Sequence, residues 1–447
     1  MVPVHLKKGY SLRIAGAPSP ESTRLTKPTH VGVLPERIPF VKPRLSVKVD
    51  EWVQVGSVLF EDKRNPQIQF LSPGGGKVVK ISLGPRRVIQ EIVIELDEAE
   101  SFREFQTFSE TELEAADRAD IVQAIIQGGL WPLIRMLPFR DWPDPKIKPP
   151  GIFVTIGNLE PFHPRPETFL TGEEELFRFG VKILNRLVNG QVYVAAAQGD
   201  DVVLSEFEDL ITHTYQGAYP AHDAGVLLYH TKSAPSENRT WYIDAQDLLL
   251  LAELLQTGRY PTRRTVVLAG SMATQRRHYQ TRIGVPLRHL MENRAEQGDI
   301  RCIVGGILTG YTGSKDSYLG FCETALNLLP AGNEREELAS FQPGFRKPSY
   351  SRTFLSVFNR GDFLMNCNIH GGIRACIACN HCPDVCPVDI LPQLTYKSIL
   401  IEAVEESLAH GLLDCVECGL CSYVCPSKIE LVDTLRNAKA AYYYEQV

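Results

Sequence analysis

Apolar and polar positions alternate in short runs through the first hundred residues. Leu45, Val47 and Val49 share one face, and Val53 and Val55 repeat the step. A period of two marks a half-buried strand. Gly56 supplies a turn, the glycines at 74–76 another, and Val78 to Ile81 reads as a strand. Gly84 turns the chain again before a last strand that starts at Val88. Short strands punctuated by glycine predict a small barrel or sandwich over residues 1–100.

From residue 101 the period lengthens. Glu114 to Gln127 reads as one helix that stops on Gly128 and Gly129. A short apolar strand starts at Gly151. Thr171 is placed to cap a helix with Glu173, Glu174 and Glu175 in its first turn, where acids suit the positive helix end. Leu176, Phe179, Ile183 and Leu187 form its apolar stripe, Asn189 and Gly190 end it, and Gln191 to Ala197 follows as a strand. Strand, helix and strand in that order predict a parallel α/β sheet over 101–258. Trp241 to Gly258 reads as one further helix. Over 259–337 the strands at Thr265 and Arg301 flank a helix from Val285, which predicts a compact α+β unit. Residues 338–365 carry Pro343, Gly344, Pro348 and Gly361 and read as a linker. Two helices are expected in 366–447. One runs from Leu394 to His410 with Gly411 as its stop. The other starts at Ile429, with Leu431, Leu435, Ala438 and Tyr442 on one face.

Composition narrows the function. A net charge of −6 over 447 residues, with no basic stripe, argues against a nucleic-acid partner. The N-terminus shows no signal peptide. No apolar run is long enough to span a membrane, since the best candidate, Ala245 to Gln256, is broken by Asp247 and Glu253. Any membrane contact is therefore expected through partner subunits. Eight of the 11 cysteines fall in the last 72 residues. That clustering predicts metal binding in a reducing compartment rather than a disulfide framework.

Those eight cysteines form one pattern twice. Cys376, Cys379, Cys382 and Cys386 precede Pro387; Cys415, Cys418, Cys421 and Cys425 precede Pro426. Each segment is C-x2-C-x2-C-x3-C-P. A cubane needs one thiolate per iron corner. The tight loop reaches three corners, and in two-cluster proteins the fourth cysteine ligates the other cluster. The expected ligand sets are Cys376, Cys379, Cys382 and Cys425 for one 4Fe–4S cluster, and Cys415, Cys418, Cys421 and Cys386 for the other. Zinc, usually held by two separated C-x2-C pairs, leaves the third cysteine unexplained. Cys302, Cys322 and Cys367 fit no spacing rule and read as inert thiols. His370 and His381 flank the first motif and read as solvated or packing side chains. Lys63 reads as a surface lysine on a hairpin. The Gly74–Val78 segment lacks the phosphate-loop pattern. No array of side chains demands catalysis.

The segment from Leu45 to Leu96, with its G-S-V-L-F-E-D-K-R-N-P run and its G-G-K-V-V turn, resembles the NqrA family, the A-subunits of the sodium-translocating NADH:quinone oxidoreductase. Gly129 to Phe139, Trp241 to Gly270 and Thr281 to Leu290 extend that resemblance over about residues 5–340. The cysteine tail is similar to the C-subunit of the homologous Rnf-type ferredoxin:NAD oxidoreductase. The resemblance implies a multidomain α/β and α+β chain. Its parts are a lipoyl-like barrel-sandwich hybrid (1–100), a Rossmann-like domain (101–258), a β-grasp domain of the soluble-ligand-binding type, SLBB (259–337), and an α-helical ferredoxin (366–447). It implies a peripheral subunit on the cytoplasmic face of a bacterial inner membrane, assembled with the B, C, D, E and F subunits. That complex would couple NADH oxidation and ubiquinone reduction to sodium export, with this chain not catalytic alone. Quinone contact is open. No flavin is expected in this chain, because Trp131 and Pro132 interrupt the glycine loop that starts at Gly128. Two alternatives remain: an Rnf-like chain that takes electrons from NADH, and a scaffold whose clusters are only structural.

Overall fold

A computed structural model of the chain describes residues 1–333, 343–351, 353–368 and 371–446. Part of the expected linker, and His370, lie outside the described residues.

The N-terminal β unit is two antiparallel sheets face to face. One is ordered His30–Val33, Ile89–Leu96, Gly76–Leu83, Trp52–Val53, and the other Pro43–Leu45, Val58–Asp62, Asn65–Leu71. Val31, Phe60, Ile68, Val78, Ile92 and Ile94 close the space between them. The strand expected through Val49 ends at Leu45. Val47 still points inward, but Val49 is exposed and Asp50 turns the chain at φ 71°. The first two strands pair elsewhere: Val2–His5 joins the α/β sheet beside Ile211–Gln216, and Ser22–Arg24 joins the next sheet beside Arg277–Arg282. The N-terminal segment thus laces three sheets together.

The α/β sheet is ordered Val2–His5, Ile211–Gln216, Gln191–Ala197, Gly151–Thr155, Trp241–Asp244, Arg135–Met136. All neighbours are parallel except the last pair. The chain steps outward from Gly151–Thr155, then returns to its other side as Trp241–Asp244, which is the switch of a doubly wound sheet. Three expectations change here. The helix expected from Glu114 is two, Glu110–Ala115 and Arg118–Gln127, because Ser109 closes a capping box on the first and Asp117 starts the second. Thr171 does not start the long helix; it is the C-cap of the short helix Glu167–Leu170, where its hydroxyl donates to Glu167 O, and Glu173 precedes the long helix Glu174–Leu187. Trp241–Asp244 is a strand and the helix begins at Ala245. Trp241 and Ile243 are fully buried in the sheet, and tertiary burial overrides a helical period read across them.

The third sheet is ordered Tyr311–Gly313, Ile300–Val304, Ala325–Pro330, Arg263–Ala269, Arg277–Arg282, Ser22–Arg24. Leu287 and Leu290 of the short helix Leu287–Met291 pack on its core. In the tail, the helix expected from Leu394 to His410 is split into Pro392–Leu400 and Val404–Ala409 around Glu402, at φ 57°. Gly411, at φ 88°, ends the second piece. The final helix is Leu431–Gln446. Val388, Leu412, Val416 and Leu435 of the tail share one apolar core with Val4, Phe153 and Leu227 of the α/β unit. The cysteine-bearing tail is therefore packed on the body. Among the described residues no helix is long and apolar enough to cross a membrane.

Candidate metal centre

The two cysteine segments lie thirty-nine positions apart in sequence and repeat the same backbone. Ala378 and Glu417 occupy matching places between the first and second cysteine, at φ 53° and 58°. Asn380 and Gly419 follow the second cysteine at φ 62° and 79°. Asp389 and Lys428 follow the fourth at φ 53° and 55°. Short helices, His381–Asp384 and Leu420–Tyr423, carry the third cysteine of each motif. Left-handed residues are costly for anything but glycine. Their recurrence at three matching places shows a shape that both segments are held to. Such a turn aims consecutive N–H groups into one hollow, the nest that receives anions such as thiolate-bound iron–sulfur groups.

All eight cysteines are free thiols. Cys382 is pushed up to about 12 by burial, with Cys379 and Cys425 adding repulsion. Cys386 is pushed up to about 11, again by burial, and faces Cys415. Burial carries Cys418 and Cys421 well above the usual thiol range; Cys418 feels Cys415 and Cys386, and Cys421 feels Cys418, Cys415, Cys386 and Cys382. Cys376 packs with Cys382 and Cys425. The structure thus brings Cys386 to the second motif and Cys425 to the first. Buried thiols crowded in this way resist ionisation until a cation takes up their charge. Among the described residues no three His, Cys, Asp or Glu side chains converge as they would on a single ion. A cubane spreads its four thiolates over four irons, and an all-thiol donor set suits an iron–sulfur group.

The body and the final helix together grip the second motif by its carbonyls. Arg140 donates to Val416 O at 3.2 Å, Tyr219 Oη to Cys418 O at 2.9 Å, and Lys439 Nζ to Cys415 O at 2.8 Å. Arg140 is itself held by both carboxylate oxygens of Asp223, at 2.8 and 2.9 Å. Burial pushes the Glu417 carboxyl up, but Lys439, Arg140 and Arg436 outweigh it and leave it below the usual range. Sequence reasoning missed these residues. Arg140, Tyr219 and Asp223 lie far from the cysteines in the chain, Glu417, Arg436 and Lys439 lie near them, and no spacing rule could have assigned any of them. The start of the first motif is held by the tail, where the Arg374 backbone N–H donates to Ser427 O and Ser427 Oγ to Ala375 O, both at 2.9 Å, and its far end by the body, where Lys8 Nζ donates to Pro383 O at 3.1 Å and His230 Nε2 lies 2.9 Å from Pro387 O.

Other candidates fall into ordinary places. The glycines at 128 and 129 face Leu254 and Leu71, and the fully buried Trp131 indole donates to Pro143 O at 2.9 Å, so that loop is part of the core. Cys302 is buried beside Met291, the Cys322 sulfur lies 3.1 Å from Arg135, and Cys367 is half-buried. The His381 ring packs edge-on to Tyr350 at 5.2 Å. Lys63 is exposed on its hairpin.

Fold and site together define a multidomain α/β protein with a C-terminal iron–sulfur unit. Families described as the NqrA N-terminal barrel-sandwich hybrid domain, the NqrA second alpha/beta domain and the NQRA C-terminal domain match residues 4–97, 116–260 and 265–314. A 4Fe-4S dicluster domain matches residues 375–429. The A-subunit of the Na(+)-translocating NADH-quinone reductase of Vibrio anguillarum is 31% identical over 413 residues, covering 92% of each chain. Its Yersinia pestis counterpart is 31% identical over 438 residues, covering 97% of this chain and 98% of its own. The chain belongs to this NqrA family.

Proposed function

We propose that the chain is the peripheral NqrA-type component of a bacterial inner-membrane complex that couples NADH oxidation and ubiquinone reduction to sodium export. In this reading it sits on the cytoplasmic face, reaches the membrane through the B to F subunits, and carries two 4Fe–4S clusters. One is held by Cys376, Cys379, Cys382 and Cys425, the other by Cys415, Cys418, Cys421 and Cys386. The proposed units are 1–100, 101–258, 259–337 and 366–447, with a linker at 338–365. The observation that carries the cluster reading is the neighbourhood of the cysteines, in which Cys386 stands with Cys415, Cys418 and Cys421, and Cys425 with Cys382. The similarity to the Vibrio and Yersinia relatives over nearly the whole chain carries the rest.

Bound there, such clusters supply one-electron relay. The chain's own residues shape the site for it. Backbone N–H groups of Glu417 and Leu420 face the Cys415 and Cys418 sulfurs, and those of Val388 and Ile390 the Cys386 sulfur. Arg140, Lys439 and Arg436 stand beside the second motif, paired with Asp223 and Glu417. Val388, Leu412 and Val416 exclude water on one side. The exchanged cysteines tie both groups to one unit, so neither set forms without the other motif. An affinity tag on the native chain tests the assembly: solubilised membranes are expected to yield it together with the other subunits. Recovery of the chain in full yield with no membrane partner contradicts the proposed role.

A further inference from the structure

The second cysteine loop is enclosed, and the first is not. Every residue from Gly371 to Asn380 is exposed except the half-buried Cys376. Ile373 and Ile377 stand 68% and 67% exposed on either side of that cysteine. Large apolar side chains that project from a loop with so little beneath it gain from being covered by another surface.

Positive side chains stand beside this loop. Lys428 Nζ donates to Gly371 O at 3.4 Å, and an atom placed as Cβ on Gly371 would lie 3.4 Å from the Arg374 guanidinium and 3.9 Å from Lys428 Nζ. Lys347 adds a third positive charge acting on Lys428. Among the described residues the side-chain charges that bear on Lys428 are all positive. Asp389, the acid at the matching place in the first motif, is turned away into an ion pair with Lys8 at 2.7 Å.

We propose that this face, Ile373 and Ile377 flanked by Arg374 and Lys428 beside the exposed Cys379, is the docking surface for an anionic electron-carrier protein. The carrier's own redox centre would be rimmed by carboxylates and apolar side chains. The apolar pair supplies the dry centre of the contact, and the cations steer and orient the partner. A lipid surface would meet the same charge and apolar groups, but it offers Cys379 no redox partner. The proposal rests on the reading of the first motif as a cluster site.

The test uses the full chain, purified anaerobically, and a small acidic plant-type 2Fe–2S ferredoxin as the probe. Titration calorimetry at low ionic strength is expected to show binding that weakens as salt is raised. Arg374→Glu with Lys428→Glu is expected to weaken it at least tenfold, and Ile373→Asp also to weaken it, with iron content unchanged. Reversal of Arg86 and Arg87, on the turn of the N-terminal β unit, is expected to leave the affinity as it was. Full iron content with no ferredoxin binding, or binding indifferent to the Arg374 and Lys428 reversals, overturns the docking proposal alone. Binding to phosphatidylglycerol vesicles in place of ferredoxin overturns it in favour of the membrane. A chain that holds no iron overturns the cluster reading, and the docking proposal with it.

Discussion

The two cysteine segments share a spacing, three left-handed residues and a short helix, yet they live in different surroundings. The loop from Cys415 to Cys421 is held by Arg140, Tyr219 and Lys439 and packs Val416 and Leu420 into the interior. The loop from Cys376 to Asn380 lies open to solvent, and Ser427 of its sister segment holds the Ala375 carbonyl just before it. The chemistry of a ligand loop is therefore local, while its accessibility is set by what the rest of the chain places on it. One loop faces the body and the other faces outward.

The largest expected effect comes from breaking the exchange of fourth ligands. Cys386→Ser lies in the first segment but is expected to cost the cluster of the second, taking iron from about eight to about four per chain. Cys425→Ser is expected to cost the other cluster. Iron analysis with spectra of each variant checks this, and loss of the same-segment cluster in both would contradict the pairing.

Next comes the grip on the enclosed loop. Arg140→Ala leaves Val416 O without this donor and the Asp223 carboxylate with the Gly225 N–H, and the loss is expected to cost about 1–3 kcal/mol. Chemical denaturation followed by the cluster absorbance should show it. An equal loss in Ser427→Ala would erase the distinction between the loops.

A smaller effect separates the matching positions Gly419 and Asn380. Gly419→Ala is expected to destabilise by about 1–2 kcal/mol, because it puts a Cβ at φ 79° and 2.9 Å from Leu308 O. Asn380→Gly, on the open loop, is expected to be nearly neutral in the same unfolding assay.

The smallest concerns the mooring of the last helix. Burial raises the Asp141 carboxyl to about 6, where Tyr443 donates to it. Its ordinary value is near 3.8, so the folded state holds this proton more tightly than the unfolded chain. Stability from it is fully present below pH 4 and is lost as pH rises through about 6. Asp141→Asn is expected to gain about 1–2 kcal/mol at pH 8 and to flatten the pH dependence between 4 and 7. Urea unfolding at both ends of that range decides it.

Much of this was legible in the sequence, because spacing is a local property. The cysteine groups, the strands at Gly151 and Gln191, and the helix stops at Gly258 and Gly411 are written within a few residues of where they act. The failures were long-range. Trp241–Asp244 reads as helix from its neighbours and becomes a strand because two others flank it. Val2–His5 gives no sign in its own residues that it will pair with Ile211–Gln216. Arg140 and Lys439 are ordinary cations until folding sets them against the carbonyls of Val416 and Cys415.

Everything proposed for the tail depends on its carrying two clusters of one type in one unit. EPR of the anaerobically purified chain before and after dithionite, with iron counted on the same sample, tests this without an intermediate step. About eight irons per chain are expected, with a reduced spectrum broadened by interaction between two neighbouring 4Fe–4S centres. Zinc in place of iron, or about four irons with the signal of a single isolated centre, would contradict it.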